Sequence, residues 1–339
     1  MQSNFGGEFL VFLLGSSPVF GLDIGFETIR LCQIKKHGKS VSIVGVADIP
    51  ITERILDKDR IKNKAATANS IREACRKAKP HSITAKKIVS TLPETFVFSK
   101  TIRLPKMSVE ELKTSVPNEA AQYLPIPLSD VYVDFQILIT HPDEPLIDIL
   151  IAAAPKRLVD DYVEMAKMAD MELVALETKP IAVGRALIPE KSKDGIAIVH
   201  IGTELSRISI WDRGKIGLVT TAPIGKNQIL EYFISNNPSI KNINEIDLNK
   251  PIEDSAANPL TQIVDAVSEA IRYHQNRGYQ PSKISQIDIC GSAAMIKNID
   301  SYIQKSTKIK AVISQPAYRL GEKISPDLTT AFGLALREG

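Results

Sequence analysis

The sequence predicts an α/β protein built from two related halves, and three observations carry that expectation. Phe20–Gly21–Leu22–Asp23–Ile24–Gly25–Phe26–Glu27–Thr28–Ile29–Arg30 gives an apolar strand, a glycine turn and a second Ile-bearing strand. Ile196–Ala197–Ile198–Val199–His200–Ile201–Gly202–Thr203–Glu204–Leu205–Ser206 repeats the pattern. Glycine relieves the steric restriction at each turn, and the apolar flanks bury both strands of the hairpin. Between the hairpins, residues 146–176 run strand, helix, strand, the rhythm of an α/β body. The length of 339 residues also exceeds the usual size of a single core. Asp23 precedes the first Ile–Gly pair and His200 the second, and the two turns are expected to face one cleft.

Composition narrows the class. An apolar content of 44% and a charged content of 24% are ordinary for a soluble globular chain, and a net charge of +3 is too small to argue for nucleic acid. Cys32, Cys75 and Cys290 are isolated, with no CxxC pair. They predict reduced, buried thiols rather than a disulfide framework or a thiolate metal site. Phe9–Leu14 is apolar but too short to cross a bilayer, and it lacks the basic start and cleavage site of a signal peptide. Residues 1–18 are therefore expected to form an N-terminal extension: a surface hairpin, a packed arm or a disordered segment, with membrane contact as the alternative.

In the first half, Lys39 and Gly45 bracket a further strand with Val41, Ile43 and Val46 toward the core. Ala65, Ala68, Ile71, Ala74 and Cys75 recur on one side of a helix over 61–78, which Pro80 ends. Its Arg72, Arg76, Lys77 and Lys79 have no interleaved aromatics, and predict a solvated face rather than a phosphate patch. Strands follow over 87–93 and 97–104. Ser108 and Glu111 have capping-box spacing, and Pro117 predicts a kink or a restart of the helix they begin. A short helical stretch over 118–124, the stop at Pro125–Leu128 and extended Val131–Thr140 complete a small inserted subdomain of about 108–140. Its proline-rich edge reads as a rigid connector or as a peptide-receiving edge. Leu146–Ala154 is a strand. Leu158, Val159, Tyr162, Val163, Ala166 and Ala169 then mark an amphipathic helix. A strand over 172–176 and a helix over 180–188 lead to a charged linker at Glu190–Asp194. The expected division is 19–189 and 190–339.

The second half predicts strands over 195–200, 207–211 and 217–224 and a helix over 227–234. Gly225–Lys226 lacks the earlier glycine and the following Ser or Thr of a P-loop. Asn258–Pro259 supplies an N-cap and a first helical residue. Leu260, Ile263, Val264, Val267, Ala270, Ile271 and His274 sustain that helix until Gly278–Pro281. A strand over 284–290 turns at Gly291–Ser292 into a helix over 293–303, a turn able to offer amides to a phosphate or ribose. A terminal helix over 331–337 closes the chain.

In order and spacing, these segments resemble the actin-like PilM family of type IV pilus assembly proteins. The resemblance rests on Gly21–Leu22–Asp23–Ile24–Gly25, on Glu119–Leu128, on Ala152–Tyr162, on Pro223–Ile224–Gly225 and on Gly333–Arg337. It implies an actin-like ATPase fold with two related lobes and an inserted small subdomain. It implies a scaffold at the cytoplasmic face of the inner membrane that binds the cytoplasmic tail of a PilN-like protein through 108–140. Other pilus assembly-platform proteins are implied as partners and nucleic acid is not; membrane association would be peripheral, through partners.

The same resemblance implies ATP and magnesium. It puts Asp23, Gly25 and Thr28 at a first phosphate turn, with Asp23 as the metal residue. Gly202, Thr203 and Ser206 fall at the second turn beside His200, Gly225 on the approach, and Gly291, Ser292 and Ala293 at the adenosine-side loop. Backbone amides and hydroxyls there would hold phosphate oxygens, and a carboxylate would orient magnesium through water. The chain departs from the family pattern at Phe26, Glu27, His200, Lys226, Ser292 and Ala293, and His200 replaces an aspartate that would orient metal or water. No catalytic residue is assigned. Local readings stand beside these: Asp23 as a turn cap, the glycines as hairpin necessities, His200 as a satisfied turn residue, and Thr28, Thr203 and Ser206 as partners of backbone. Two other functions are weighed, an ATPase whose hydrolysis drives assembly and a small-molecule phosphotransferase; the latter lacks a compelling general base.

Overall fold

Three consecutive strands, β1 (Val19–Ile24), β2 (Thr28–His37) and β3 (Ser40–Pro50), form an antiparallel meander at the start of the chain. The computed structural model describes residues 18–38, 40–51, 55–57, 60–93, 96–138, 145–189, 191–250, 258–276 and 281–337. The expectations for residues 1–17, Lys39, Thr140, Glu190 and Gly278–Gln280 lie outside them. The chain divides into two compact units, one running to Ala182 and including the segment from Ala331, the other Val183–Thr330.

In the first unit a short hairpin, β4 (Leu56–Asp57) with β5 (Arg60–Ile61), leads to α1 (Lys64–Lys77). The Asn63 side chain accepts the Ala66 amide and so caps this helix. β6 (Lys79–Pro80) returns to the edge of β3, and β7 (Lys87–Thr91) lies parallel to β1. β8 (Phe98–Pro105), α2 (Val109–Ala121), β9 (Val131–Ile137) and β10 (Leu146–Pro155) then build a separate three-stranded sheet in the order β8-β10-β9. α3 (Lys156–Met168) returns the chain to β11 (Glu172–Glu177), parallel to β7, and α4 (Lys179–Leu187) begins. The main sheet runs β11-β7-β1-β2-β3-β6.

The second unit contains β12 (Gly195–Ile201), β13 (Ser206–Asp212), β14 (Lys215–Ala222), α5 (Lys226–Asn236), α6 (Pro259–Gln275), β15 (Ile284–Cys290), α7 (Ile299–Thr307) and β16 (Lys310–Ile313), before α8 (Thr329–Ala335). Its sheet, taken as β16-β15-β12-β13-β14, matches β11-β7-β1-β2-β3 strand for strand. The senses match as well: the first three strands are parallel and the last two antiparallel. The repeat legible in the two turns is thus a repeat of the whole sheet, and the small sheet with α2 is an insertion between β7 and α3.

Each body has its own core. Phe20, Leu22, Ile29 and Leu31 pack with Ile71 of α1 and with Leu158 and Tyr162 of α3. Val199, Ile201, Ile208 and Ile210 pack with Ile263, Val267 and Ile271 of α6. In the insertion, Leu112, Val116 and Ala120 of α2 cover Ile147, Ile149 and Ile151 of β10. The three cysteines are free and buried, as expected, and burial pushes the Cys32 thiol up to about 12.

Several local expectations are corrected. Gly45 does not end a strand; β3 continues to Pro50, and the glycine lies at a register shift where a Cβ would collide with the His81 carbonyl. Ile43 and Val46 are only half-buried, and Ala65 is exposed. Pro117 neither stops nor restarts α2, which runs through it. Val116 and Ala120 are fully buried on either side, and packing carries the helix past the missing donor. No helix starts at Ala293: residues 292–295 are turn, and α7 begins only after Asn298 at φ +64°. The sequence division assigns the terminal helix to the second half, whereas the segment from Ala331 groups with the first unit. Its contact there needs a glycine, because a Cβ on Gly21 would overlap the Ala331 carbonyl oxygen.

Candidate functional site

β1 is buried along its whole length, so Asp23, its fifth residue, carries its carboxylate into the protein. Strand alternation puts Leu22 and Ile24 on the core face and Asp23 on the opposite face with Gly21. There the side chain of Asp23 is 4% exposed, and Lys179 at the first position of α4 brings Nζ to 2.8 Å from Oδ1. Thr91, at the end of β7, donates Oγ1–H to the same oxygen at 3.2 Å. Tyr162 is fully buried; burial pushes its phenol up, the Asp23 charge adds to this, and its hydroxyl has no hydrogen-bond partner among the described residues. Opposite charges at this spacing attract by about 6 kcal/mol gross at an effective dielectric of ~20. Desolvation of both groups takes back much of that.

Immediately after Asp23 the chain reverses, with the Gly25 amide donating to the Thr28 carbonyl at 2.8 Å. In the second unit the Gly202 amide donates to the Leu205 carbonyl at 3.0 Å. These equivalent turns leave the hydroxyls of Thr28 and Thr203 half-buried and without a hydrogen-bond partner among the described residues.

Around the second turn, the structure brings the predicted residues together and turns many of their donors inward. Ser206 Oγ donates to the Ile224 carbonyl at 2.6 Å. The Ile201 carbonyl accepts from the Ala293 amide at 3.3 Å and from Ser292 Oγ at 3.4 Å, and the Gly291 amide donates to Pro326 at 3.0 Å. Gly291, at φ +93°, packs on the Ile201 backbone, where a Cβ would come within 2.5 Å. Gly225 lies equally close to the Glu204–Leu205 backbone, where a Cβ would come within 2.6 Å. The first amides of α5 are also engaged: Lys226 donates to the Gly202 carbonyl at 2.8 Å and Asn227 to Thr203 at 2.9 Å. His200 Nε2 lies 3.5 Å from Thr330 Oγ1. The second turn is thus welded to its neighbours by its carbonyls, and the two turn threonines are the predicted hydroxyls still open to a ligand.

These residues do not fit a magnesium ion at Asp23. The carboxylate is already neutralised by an ammonium, and a divalent cation brought to it would meet that positive charge at close range. Taken within its own unit, each turn offers one hydroxyl that fits a phosphate oxygen, Thr28 in the first and Thr203 in the second. Sequence reasoning missed Lys179, Thr91 and Thr330, because only parallel strand pairing carries them into place: β1 with β7 and β7 with β11 for Thr91 and Lys179, and β12 with β15 and β15 with β16 for Thr330.

The insertion offers a different surface. Val109, Tyr123 and Leu146 are exposed, and the Lys100 ammonium lies 3.2 Å from the centroid of the Tyr123 ring, a cation–π contact. Arg103 of β8 holds the buried Asp148 of β10 at 2.8 Å, which ties the two strands together on the sheet face opposite α2.

The profile of the family described as Type IV pilus assembly protein PilM matches residues 21–338. The chain belongs to the PilM family. Among solved structures, it is similar to one described as a PilM–PilN type IV pilus biogenesis complex. The identity is 19%, with 95% of this chain and 98% of that chain covered and a TM-score of 0.77. It is also similar to the ethanolamine utilization protein EutJ from Carboxydothermus hydrogenoformans, at 15% identity, 96% and 92% coverage and a TM-score of 0.54. The fold is actin-like, as the family resemblance implies. No helix among the described residues of this PilM-family chain is long and apolar enough to cross a membrane.

Proposed function

We propose that this PilM-family chain is a scaffold of the type IV pilus assembly platform, at the cytoplasmic face of the inner membrane. In this reading it holds the cytoplasmic tail of a PilN-like membrane protein on the inserted subdomain and meets the other platform proteins around it. One observation carries the assignment of the surface. The duplicated sheet is complete without the insertion, yet the insertion has its own core and exposes Val109, Tyr123 and Leu146 on a rigid support. The similar solved structure is described as a complex of PilM with PilN, which is the chemistry of partner this reading adopts.

A fluorescent peptide of the PilN-like tail, titrated with the full chain, tests it. Tyr123→Ala is expected to weaken binding about tenfold, worth ~1.4 kcal/mol. Binding that is unchanged by Tyr123→Ala and Val109→Ala, with folding preserved, overturns the location.

ATP enters the reading as a second ligand, supported by the repetition of one turn in both sheets, each with a threonine whose hydroxyl has no hydrogen-bond partner among the described residues. Replacing Thr28 and Thr203 together by valine is expected to weaken binding of a fluorescent ATP analogue by about tenfold or more. An unchanged affinity removes the turns from the nucleotide site.

A further inference from the structure

We propose that the first unit carries its own cation: Lys179 is the permanent counter-ion of Asp23, and it takes the place of a divalent metal at this turn. Three observations converge on the pair. Asp23 is buried on a strand with no exposed residue, so its charge needs a partner inside the protein. Lys179 supplies that partner from the start of α4, 2.8 Å away, and Thr91 donates to the same carboxylate oxygen. The second unit supplies an internal control. At the equivalent step of the repeat the residue before Ile–Gly is His200 in place of an aspartate, and the facing residue on α8 is Thr330 in place of a lysine. At these two positions carboxylate and ammonium occur together in one copy and are replaced together in the other. A lysine that merely decorated the helix start would not follow the carboxylate in this way.

The consequence concerns how a polyphosphate is held. A metal-dependent turn binds phosphate through a cation that arrives with the ligand. Here the ammonium is fixed on Asp23, two residues before the Gly25–Thr28 turn, and in this proposal its remaining hydrogens supply the positive charge that a phosphate brought to the turn would meet. Binding of a nucleotide therefore does not require a divalent cation. This arm rests on the nucleotide reading above; the assignment of the pair itself does not.

Isothermal titration of a non-hydrolysable ATP analogue into the full chain, in magnesium and in EDTA, separates the possibilities. The wild-type affinity is expected to be equal in both buffers to within about twofold. Lys179→Met is expected to lose about tenfold in EDTA and to recover in magnesium, because the freed carboxylate now recruits the metal. A wild-type affinity that falls about tenfold in EDTA, with the dependence abolished by Asp23→Asn, overturns the proposal. If the analogue binds in neither buffer, the nucleotide reading fails and unfolding midpoints decide the pair. Destabilisation by Lys179→Met, or by Lys179→Gln if the methionine variant does not fold, repaired by adding Asp23→Asn and indifferent to magnesium, supports it. A magnesium-induced rise in the wild-type midpoint that Asp23→Asn removes overturns it.

Discussion

Lys179 Nζ stands 2.8 Å from Asp23 Oδ1, at the junction of the first strand and the first helix to follow the parallel strands of its sheet. In the second half the same junction joins His200 to Thr330 at 3.5 Å. One architecture therefore hosts an ion pair in one half and a histidine–hydroxyl contact in the other, and their energetic signatures differ.

Removing one member of a buried ion pair strands the other charge, which costs about 3–5 kcal/mol. Lys179→Met is expected to lower stability by that order, and Asp23→Asn/Lys179→Met to restore most of it. Thr330→Val, which takes away a single hydroxyl contact to His200, is expected to cost about 1 kcal/mol. Urea midpoints for these three variants and for Asp23→Asn alone check this. Strictly additive losses at Asp23 and Lys179 would show that the two side chains do not act as a pair.

Acid is expected to loosen the contact between the β4–β5 hairpin and α3. Asp161 is buried, which raises its carboxyl, but hydrogen bonds from Arg60, Lys64 and the Ile61 amide outweigh that and hold it below the usual carboxylate range. With the folded value below the unfolded one, the unfolded chain binds more protons as pH falls. The contribution of Asp161 is fully present above its unfolded pKa and is lost as pH drops through the folded value. Asp161→Asn should flatten the acid limb of the stability–pH curve, and an unaltered limb would rule the residue out as its source.

How far the sequence reaches is clear from the same residues. The glycine turns, the capping box at Ser108 and the Asn258–Pro259 helix start are local events, and all three form where their spacing places them. The partner of Asp23 is not local. It depends on strand order, which periodicity does not encode, and Lys179 in front of a proline carries no mark of its role. Gly291 illustrates the opposite failure. A strand followed by Gly–Ser gave the right turn but the wrong consequence, because left-handed Asn298 delays the helix and the turn donors close on Ile201 and Pro326.

Gly21→Ala is expected to be among the most damaging single-atom changes in the first unit. The added carbon would overlap the Ala331 carbonyl oxygen and press on Leu334, and backbone cannot step aside as a side-chain tip can. Overpacking of this kind costs about 1–3 kcal/mol. Because α8 is what is pushed, limited proteolysis should reach the segment around Leu336 first, before β7 or α1. Gly38→Ala, at φ +61° with open space around it, carries backbone strain but no collision and serves as the comparison.

The capping box of α2 gives the insertion a handle separate from its binding surface. Glu111 accepts the Ser108 amide at 2.7 Å, and that bond with the Ser108 hydroxyl holds its carboxyl below the usual range; the Glu111 amide donates back to Ser108 Oγ at 3.3 Å. Ser108→Ala should cost about 1 kcal/mol of helix stability. The loss is expected as faster hydrogen exchange in α2 and β10, which share Leu112, Val116, Ile149 and Ile151, while exchange in β12 stays unchanged. Tail affinity should fall far less than with Tyr123→Ala, because Ser108→Ala raises the open population of a helix that still docks, whereas Tyr123→Ala deletes contact surface. Equal losses from the two variants would mean that the tail reads the order of α2 rather than the side chains it presents.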